Sequence, residues 1–394
     1  MSIAVKIESF MEKSSWIRKM FEEGAKMKAK YGAENVFDLS LGNPNLPPPK
    51  EFHEALMTEA AVEAEGIHGY MPNPGYPQVR AEIAKAASVD QEVELTENEI
   101  LMTCGAAGAL NVVLKTILNP GEKVVVSKPY FVEYNFYLDN HGGELVTVPS
   151  TETFGLDFNE IEKAITKDTR ALLINSPNNP SGVIYSREEL DRLGEILEAK
   201  SKEFGKTVYL ISDEPYRKIA YNNAVVPGVL RAYKNSIVAT SYSKELSLAG
   251  ERIGYIAICP NADDKDKLFN GMALCNRILG FVNAPGLMQR VVGKIQGASV
   301  NIAAYEKKKQ ILCDGLREAG YDFVEPQGAF YLFPKSPIAD DVEFVKILQE
   351  EKVLAVPGSG FGVPGHFRLS FCVADSVIEN SIKGFKAAMD KCRK

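Results

Sequence analysis

The 394-residue chain is short of the features that mark several protein classes. It has four histidines, His53, His68, His141 and His366, with no metal-ligand spacing between them, so a histidine-based metal centre is not expected. Its cysteines, Cys104, Cys259, Cys275, Cys313, Cys372 and Cys392, include no Cys-x-x-Cys pair. Scattered thiols in a long chain argue against a disulfide framework and fit a reducing compartment. No apolar run approaches bilayer-spanning length, and the first ten residues lack an uninterrupted apolar core behind a basic start. Neither a membrane span nor a signal peptide is therefore expected. Lysine and arginine number 45 against 52 acidic residues, a net charge of −7, whereas a general nucleic-acid binder leans the other way. The reading is a cytoplasmic protein with neither nucleic acid nor membrane as partner.

What is present is ordinary globular material, 45% hydrophobic and 25% charged, in a chain long enough to bury a large core. Short β-branched runs fall at Ile100–Cys104, Lys123–Ser127, Glu144–Val148, Ala171–Asn175, Val208–Ser212, Ile237–Thr240 and Tyr255–Cys259. Several are almost wholly apolar, as strands covered on both faces should be. Helical periodicity lies between most of them, as in Ala107–Leu118 and Arg187–Phe204. The alternation predicts an α/β fold, a mainly parallel seven-stranded sheet sandwiched by helices. The connection from Thr240 to Tyr255 is short and contains glycine, so the last strand is expected to run antiparallel. The ends differ. An amphipathic helix is expected over 12–31, one long helix over Leu287–Ala319, short strands around Phe330 and Phe367, and a final helix from about Val377. We expect residues 50–285 to form the large domain, and 1–49 with 286–394 a smaller α/β domain built from both termini.

In an open α/β sheet, ligands sit beyond the carboxyl ends of the strands. Past the first strand comes Gly105-Ala106-Ala107-Gly108, opening a helix whose backbone N–H groups favour an anion. Past the fourth comes Ser176-Pro177-Asn178-Asn179-Pro180-Ser181-Gly182, past the fifth Asp213-Glu214-Pro215-Tyr216, and past the sixth Ser241-Tyr242-Ser243-Lys244, then Gly250-Glu251-Arg252. Singly, each has a bland reading as tight packing, a turn, a helix cap or a surface charge. Together they place an anion cradle, an amide, a carboxylate, a phenol, a lysine and an arginine along one sheet edge. A Gly-x-Gly-x-x-Gly match at Gly360–Gly365 precedes a strand-like segment rather than a helix, so a dinucleotide site is not expected. No glycine–lysine phosphate loop and no Gly-x-Ser-x-Gly elbow occurs.

With those motifs, completed by Gly-Glu-Arg-Ile-Gly-Tyr and Phe367-Arg368-Leu369-Ser370-Phe371, the chain resembles the fold-type-I pyridoxal-phosphate enzymes. The resemblance is to the aspartate aminotransferase superfamily, the class I/II aminotransferases, and it runs from Leu41-Gly42 to the final helix. It implies pyridoxal 5'-phosphate held as a Schiff base on Lys244, with Asp213 on the pyridine nitrogen. Asn179 and Tyr216 would bond the cofactor's phenolic oxygen, and Phe131 would stack on its ring. Gly105, Ala106 and Ala107 match the phosphate cradle, with Ser241 and Arg252 as its partners. Arg368 matches the bidentate reader of the substrate α-carboxylate, and Gly42 lies nearby. Tyr70 matches a tyrosine that reaches the neighbouring subunit's phosphate, which implies a homodimer with shared sites. The implied reaction is ping-pong transfer of an amino group from an L-amino acid, aspartate-like or aromatic, to a 2-oxo acid such as 2-oxoglutarate. A carbon–sulfur lyase with the same cofactor is the alternative. Ala107 stands where some aspartate-using relatives place lysine. Arg277 lies near an arginine position of other dicarboxylate-specific relatives, and Trp16 and Ile17 are candidates for the substrate entrance.

Overall fold

A computed structural model describes residues 2–12 and 16–393. Among these, the strands in chain order are β1 (Phe37–Asp38), β2 (Ile100–Thr103), β3 (Lys123–Ser127), β4 (Glu144–Val148), β5 (Thr169–Asn175), β6 (Tyr209–Asp213), β7 (Ser236–Ser241), β8 (Gly254–Ile258), β9 (Tyr331–Leu332), β10 (Val353–Leu354), β11 (Val356–Pro357) and β12 (Phe367–Ser370). Strands β2 to β8 make one seven-stranded sheet in the order β2-β8-β7-β6-β5-β3-β4. Pairings among β3, β4, β5, β6 and β7 are parallel, and β8 is antiparallel to both β2 and β7. The antiparallel final strand follows from its connection: residues 242–253 form turns and a short 3-10 segment, not a crossover helix.

The apolar runs are explained by what covers each face. Successive side chains alternate across a strand, so Val125, Leu172 and Leu210 enter one core with Leu190, Leu193 and Leu197 of the helix Arg187–Phe204. Val124, Val126, Leu173, Ile211 and Ile237 enter another with Leu110, Val113 and Leu114 of the helix Gly105–Ile117. Local signals fix the helix ends: Ser186 and Glu189 form a capping box at the start of Arg187–Phe204, and left-handed Gly205 ends it.

Two smaller sheets, β1-β10 and β11-β12-β9, draw strands from both ends of the chain. They share a core with Leu312, Phe344 and Phe385 of the helices Ile302–Ala319, Asp341–Glu350 and Asp375–Cys392. One expectation is corrected here. The stretch expected as a single helix over Leu287–Ala319 is two, Gly286–Lys294 and Ile302–Ala319. Between them Gly297 takes a left-handed φ of 88°, and the Val300 amide donates to the Glu245 carbonyl at 2.8 Å. Tertiary bonding to the segment after Lys244 thus outcompetes continuation of the helix, and Asn301 caps the second helix. Near the start, helices cover Val5–Glu12 and Trp16–Tyr31; residues 13–15 of the helix expected over 12–31 lie outside the described residues.

Ile211, two residues before Asp213, is fully buried in β6. Ile211→Ala should lower unfolding stability by ~2–5 kcal/mol. Urea unfolding checks this, with a lower midpoint expected at unchanged slope.

Candidate active site

At the carboxyl edge of the large sheet lies a cavity of about 310 Å³. Its lining includes Gly42, Ala106, Ala107, Phe131, Asn179, Asp213, Tyr216, Ser241, Lys244, Arg252 and Arg368. Gly105 borders it one residue before Ala106: a Cβ there would come within 2.9 Å of an Arg252 guanidinium nitrogen, and its φ is 72°. Glycine at that position therefore allows the helix N-terminus and Arg252 to approach each other. Tyr70 is not brought to this cavity and is 94% exposed. Arg277 is also exposed and outside the lining. Trp16 packs near Gly360 rather than in the cavity, and the Ile17 side chain lies outside the described residues.

Asp213 ends β6 and is buried. Its Oδ2 accepts a 2.6 Å bond from the Tyr134 hydroxyl, while Oδ1 is buried with no partner among the described residues. Burial pushes its carboxyl up to about 7, with the Tyr134 bond opposing and the nearby Glu214 adding to the rise. A bare, buried carboxylate oxygen facing a cavity is the acceptor that a protonated ring nitrogen requires. Asn175 and Asn179 are set by the loop after β5: the Asn175 amide donates to the Asp213 carbonyl at 2.8 Å, and its Oδ1 accepts the Asn179 backbone N–H at 2.7 Å.

Lys244 Nζ donates to the Gly42 carbonyl at 2.8 Å. Desolvation lowers its amine to about 8, with the Arg368 and Arg252 charges acting in the same direction and Cys372 opposing. About a tenth of the amine is then neutral at pH 7, against less than about one part in a thousand at the ordinary value. Arg368, on β12, is 2% exposed. It donates to Asn179 Oδ1 at 3.1 Å and to the Ser40 carbonyl at 2.6 Å, and its Nε has no partner among the described residues. Its guanidinium lies 4.7 Å from the Tyr331 ring centre and 4.8 Å from that of Phe361. A buried, oriented guanidinium with an unused N–H suits a carboxylate.

The residues therefore fit pyridoxal phosphate: a lysine of lowered basicity, a bare carboxylate oxygen, and a helix N-terminus beside Ser241 and Arg252. The residues not foreseen are Tyr134, Tyr137, Asn175, Ser243 and Tyr331. Asn175 closes β5 and was open to the same strand-end argument as Asp213. Tyr331 had no local signal, because a two-residue strand far along the chain delivers it.

Comparison with known proteins agrees with this geometry. The family model described as aminotransferase class I and II matches residues 34–385. The aspartate aminotransferase of Bacillus subtilis is 31% identical over 384 residues, covering 92% of this chain and 93% of its own. An aminotransferase crystal structure from Eubacterium rectale superposes with a TM-score of 0.97 at 38% identity, covering all of both chains. The Thermus thermophilus aspartate aminotransferase with maleate gives 0.86 at 25% identity, covering 98% of this chain and 100% of its own.

In the ligand-free protein, acylation of Lys244 should rise with pH about a midpoint near 8. Mass spectrometry of the labelled peptide follows it; a midpoint above 10 would contradict the desolvation argument.

Proposed function

The chain belongs to the class I and II aminotransferases, and from that premise we propose how its own residues serve a pyridoxal-phosphate-dependent transamination. The observation that carries the assignment is the bare Asp213 oxygen, in one cavity with Lys244 and Arg368. The carbon–sulfur lyase alternative is not favoured, since the relatives compared are aminotransferases.

Pyridoxal phosphate supplies an electron sink that stabilises the charge left when an α-proton departs. Asp213 Oδ1 would hold the ring nitrogen protonated, and Tyr134 holds Asp213. The Tyr216 hydroxyl and the Asn179 side-chain amide would donate to the phenolic oxygen, and Phe131 would cover the ring. Backbone N–H groups of Gly105, Ala106 and Ala107, with Ser241 and Arg252, would hold the phosphate at the helix N-terminus. Lys244 would anchor the cofactor, and its Nζ, when free and neutral, would be the group that takes the substrate's α-proton. Its lowered basicity suits a group that must be neutral to accept that proton. Arg368 orients the amino acid through its α-carboxylate.

The functional unit is a cytoplasmic homodimer. The almost fully exposed Tyr70, unused in its own chain's cavity, supports a role in completing the site of a second copy. Its amino donor is aspartate or an aromatic or broader range of L-amino acids, with 2-oxoglutarate as one acceptor. The cations lining the cavity are Lys244, Arg252 and Arg368, each already engaged, and position 107 is alanine. A distal carboxylate would then be met by Arg277 from the second copy. The maleate bound by the Thermus relative, a dicarboxylate, supports that reading.

Borohydride reduction of the cofactor-loaded protein should fix the label on the Lys244 peptide, and a screen of amino acids against 2-oxoglutarate should show ping-pong transfer. Label on another lysine, or pyruvate and ammonia release without an acceptor, would overturn the assignment. Arg368→Ala should cost ~2–5 kcal/mol in kcat/KM while the cofactor's absorption spectrum persists; loss of the cofactor would refute its role. Arg277→Ala should lower kcat/KM for aspartate at least ~10-fold and spare a neutral substrate; equal losses would exclude it.

A further inference from the structure

The reading above leaves one buried phenol of the cavity without a task. Tyr331 is 2% exposed, yet its hydroxyl lies 2.9 Å from that of Tyr216, the group assigned to the cofactor's phenolic oxygen. A Cβ on Gly42 would overlap that hydroxyl, so the glycine leaves the room it occupies. Lys244 is bonded to the Gly42 carbonyl and Arg368 lies over the Tyr331 ring. Tyr331 therefore stands where the lysine, the phenol and the carboxylate reader meet.

Its placement is fixed from several directions. Tyr331 pairs with Ser370 across β9 and β12, two residues beyond Arg368. The preceding turn is clasped by the large sheet's loops: the Gln327 and Gly328 amides donate to the Gly182 carbonyl at 2.9 Å each. The Ala329 amide donates to the Ile219 carbonyl at 2.9 Å, and the Tyr221 hydroxyl donates to the Ala329 carbonyl. Ala329 itself takes a left-handed φ of 56°, a conformation that a side chain adopts only when its surroundings hold it. The Tyr216 and Tyr331 rings meet edge to face, 5.6 Å between centres at 81°. Packing alone would be served by phenylalanine, which neighbouring position 330 carries. The hydroxyl needs a different reason.

Resting on the assignment of Tyr216 to the cofactor's phenolic oxygen, we propose that Tyr331 is a positioning residue: its O–H donates to the Tyr216 oxygen and strengthens the bond that Tyr216 donates onward. A phenol has one proton to donate. Once Tyr216 gives its own to the cofactor, its oxygen is free to accept, and among the described residues the hydroxyl within bonding distance is that of Tyr331. A donor that accepts a second bond is polarised and donates more strongly. The effect is delivered at the proton shared between the phenolic oxygen and the Lys244 nitrogen. A better-held phenolic oxygen binds that proton less tightly, so the nitrogen loses it at lower pH. The other charged and titratable groups facing this point are Arg368, Arg252 and Cys372 around Lys244, and Asp213 beside Tyr216. Among the described residues none of them hydrogen-bonds the Tyr331 hydroxyl. Burial raises the Tyr331 phenol to about 12, so it remains a donor across the working pH range.

The test is spectroscopic and uses the cofactor-loaded enzyme. Tyr331→Phe keeps the ring over Arg368 and deletes one hydroxyl. The pH midpoint of the bound cofactor's visible absorption should rise by ~0.5–1 unit, the scale of one neutral hydrogen bond. Tyr216→Phe should raise it further, and adding Tyr331→Phe to that variant should shift it no more, since the relay is already cut. The thermal unfolding midpoint of Tyr331→Phe, read by circular dichroism, should stay close to that of the parent. An unchanged absorption midpoint in Tyr331→Phe while Tyr216→Phe moves it would overturn the relay. So would equal shifts in the presence and absence of the Tyr216 hydroxyl. If Tyr216→Phe itself moved nothing, the cofactor contact assigned to Tyr216 would fail instead.

Discussion

Asp213 brings a carboxylate into the protein interior with one oxygen bonded to Tyr134 and the other bare. Leaving such an oxygen unmatched costs on the order of 1–3 kcal/mol or more, and burial answers by raising the group's proton affinity. A cationic partner at Oδ1 removes the conflict. The same logic applies to Lys244, whose burial favours the neutral amine, and to Arg368, whose Nε is unmet among the described residues. These groups would be matched by a cofactor with a protonatable ring nitrogen and a reactive carbonyl at Asp213 and Lys244, and by an amino acid's carboxylate at Arg368.

The fold delivers these groups by parallel strand ends. β5 and β6 pair in register through Asn175 and Asp213, so the amide and the carboxylate arrive side by side. Helices on both faces exclude water from the sheet, and the turn holding Lys244 is bonded from below by Val300 on the linker between two helices. Arg368 and Tyr331 come from a different sheet and close the cavity from the other side. The site is thus shared between layers that fold from distant parts of the chain.

Much of this was legible in the residues. Strands such as Lys123–Ser127 and Glu144–Val148 stood out by their β-branched runs, and the strand-end rule led to Asp213, Tyr216 and Lys244. The break at 295–301 was read through because helical periodicity continues across it, although left-handed Gly297 and the bond from Val300 to Glu245 interrupt the helix there. The short strand around Phe330 was expected, but nothing in it pointed to Tyr331, whose importance lies in a contact made across 115 positions of sequence. Tyr134 was missed although it follows Phe131 by three residues, since nothing local says that its hydroxyl reaches Asp213.

Every role proposed for the cavity turns on Asp213 holding a protonated ring nitrogen. Nitrogen-15 NMR of the protein loaded with ring-labelled pyridoxal phosphate reads that proton itself. The parent protein should show the chemical shift of a protonated pyridine nitrogen, moving toward the unprotonated value in Asp213→Ala. An unprotonated nitrogen in the parent, or a shift that Asp213→Ala leaves unchanged, would contradict it.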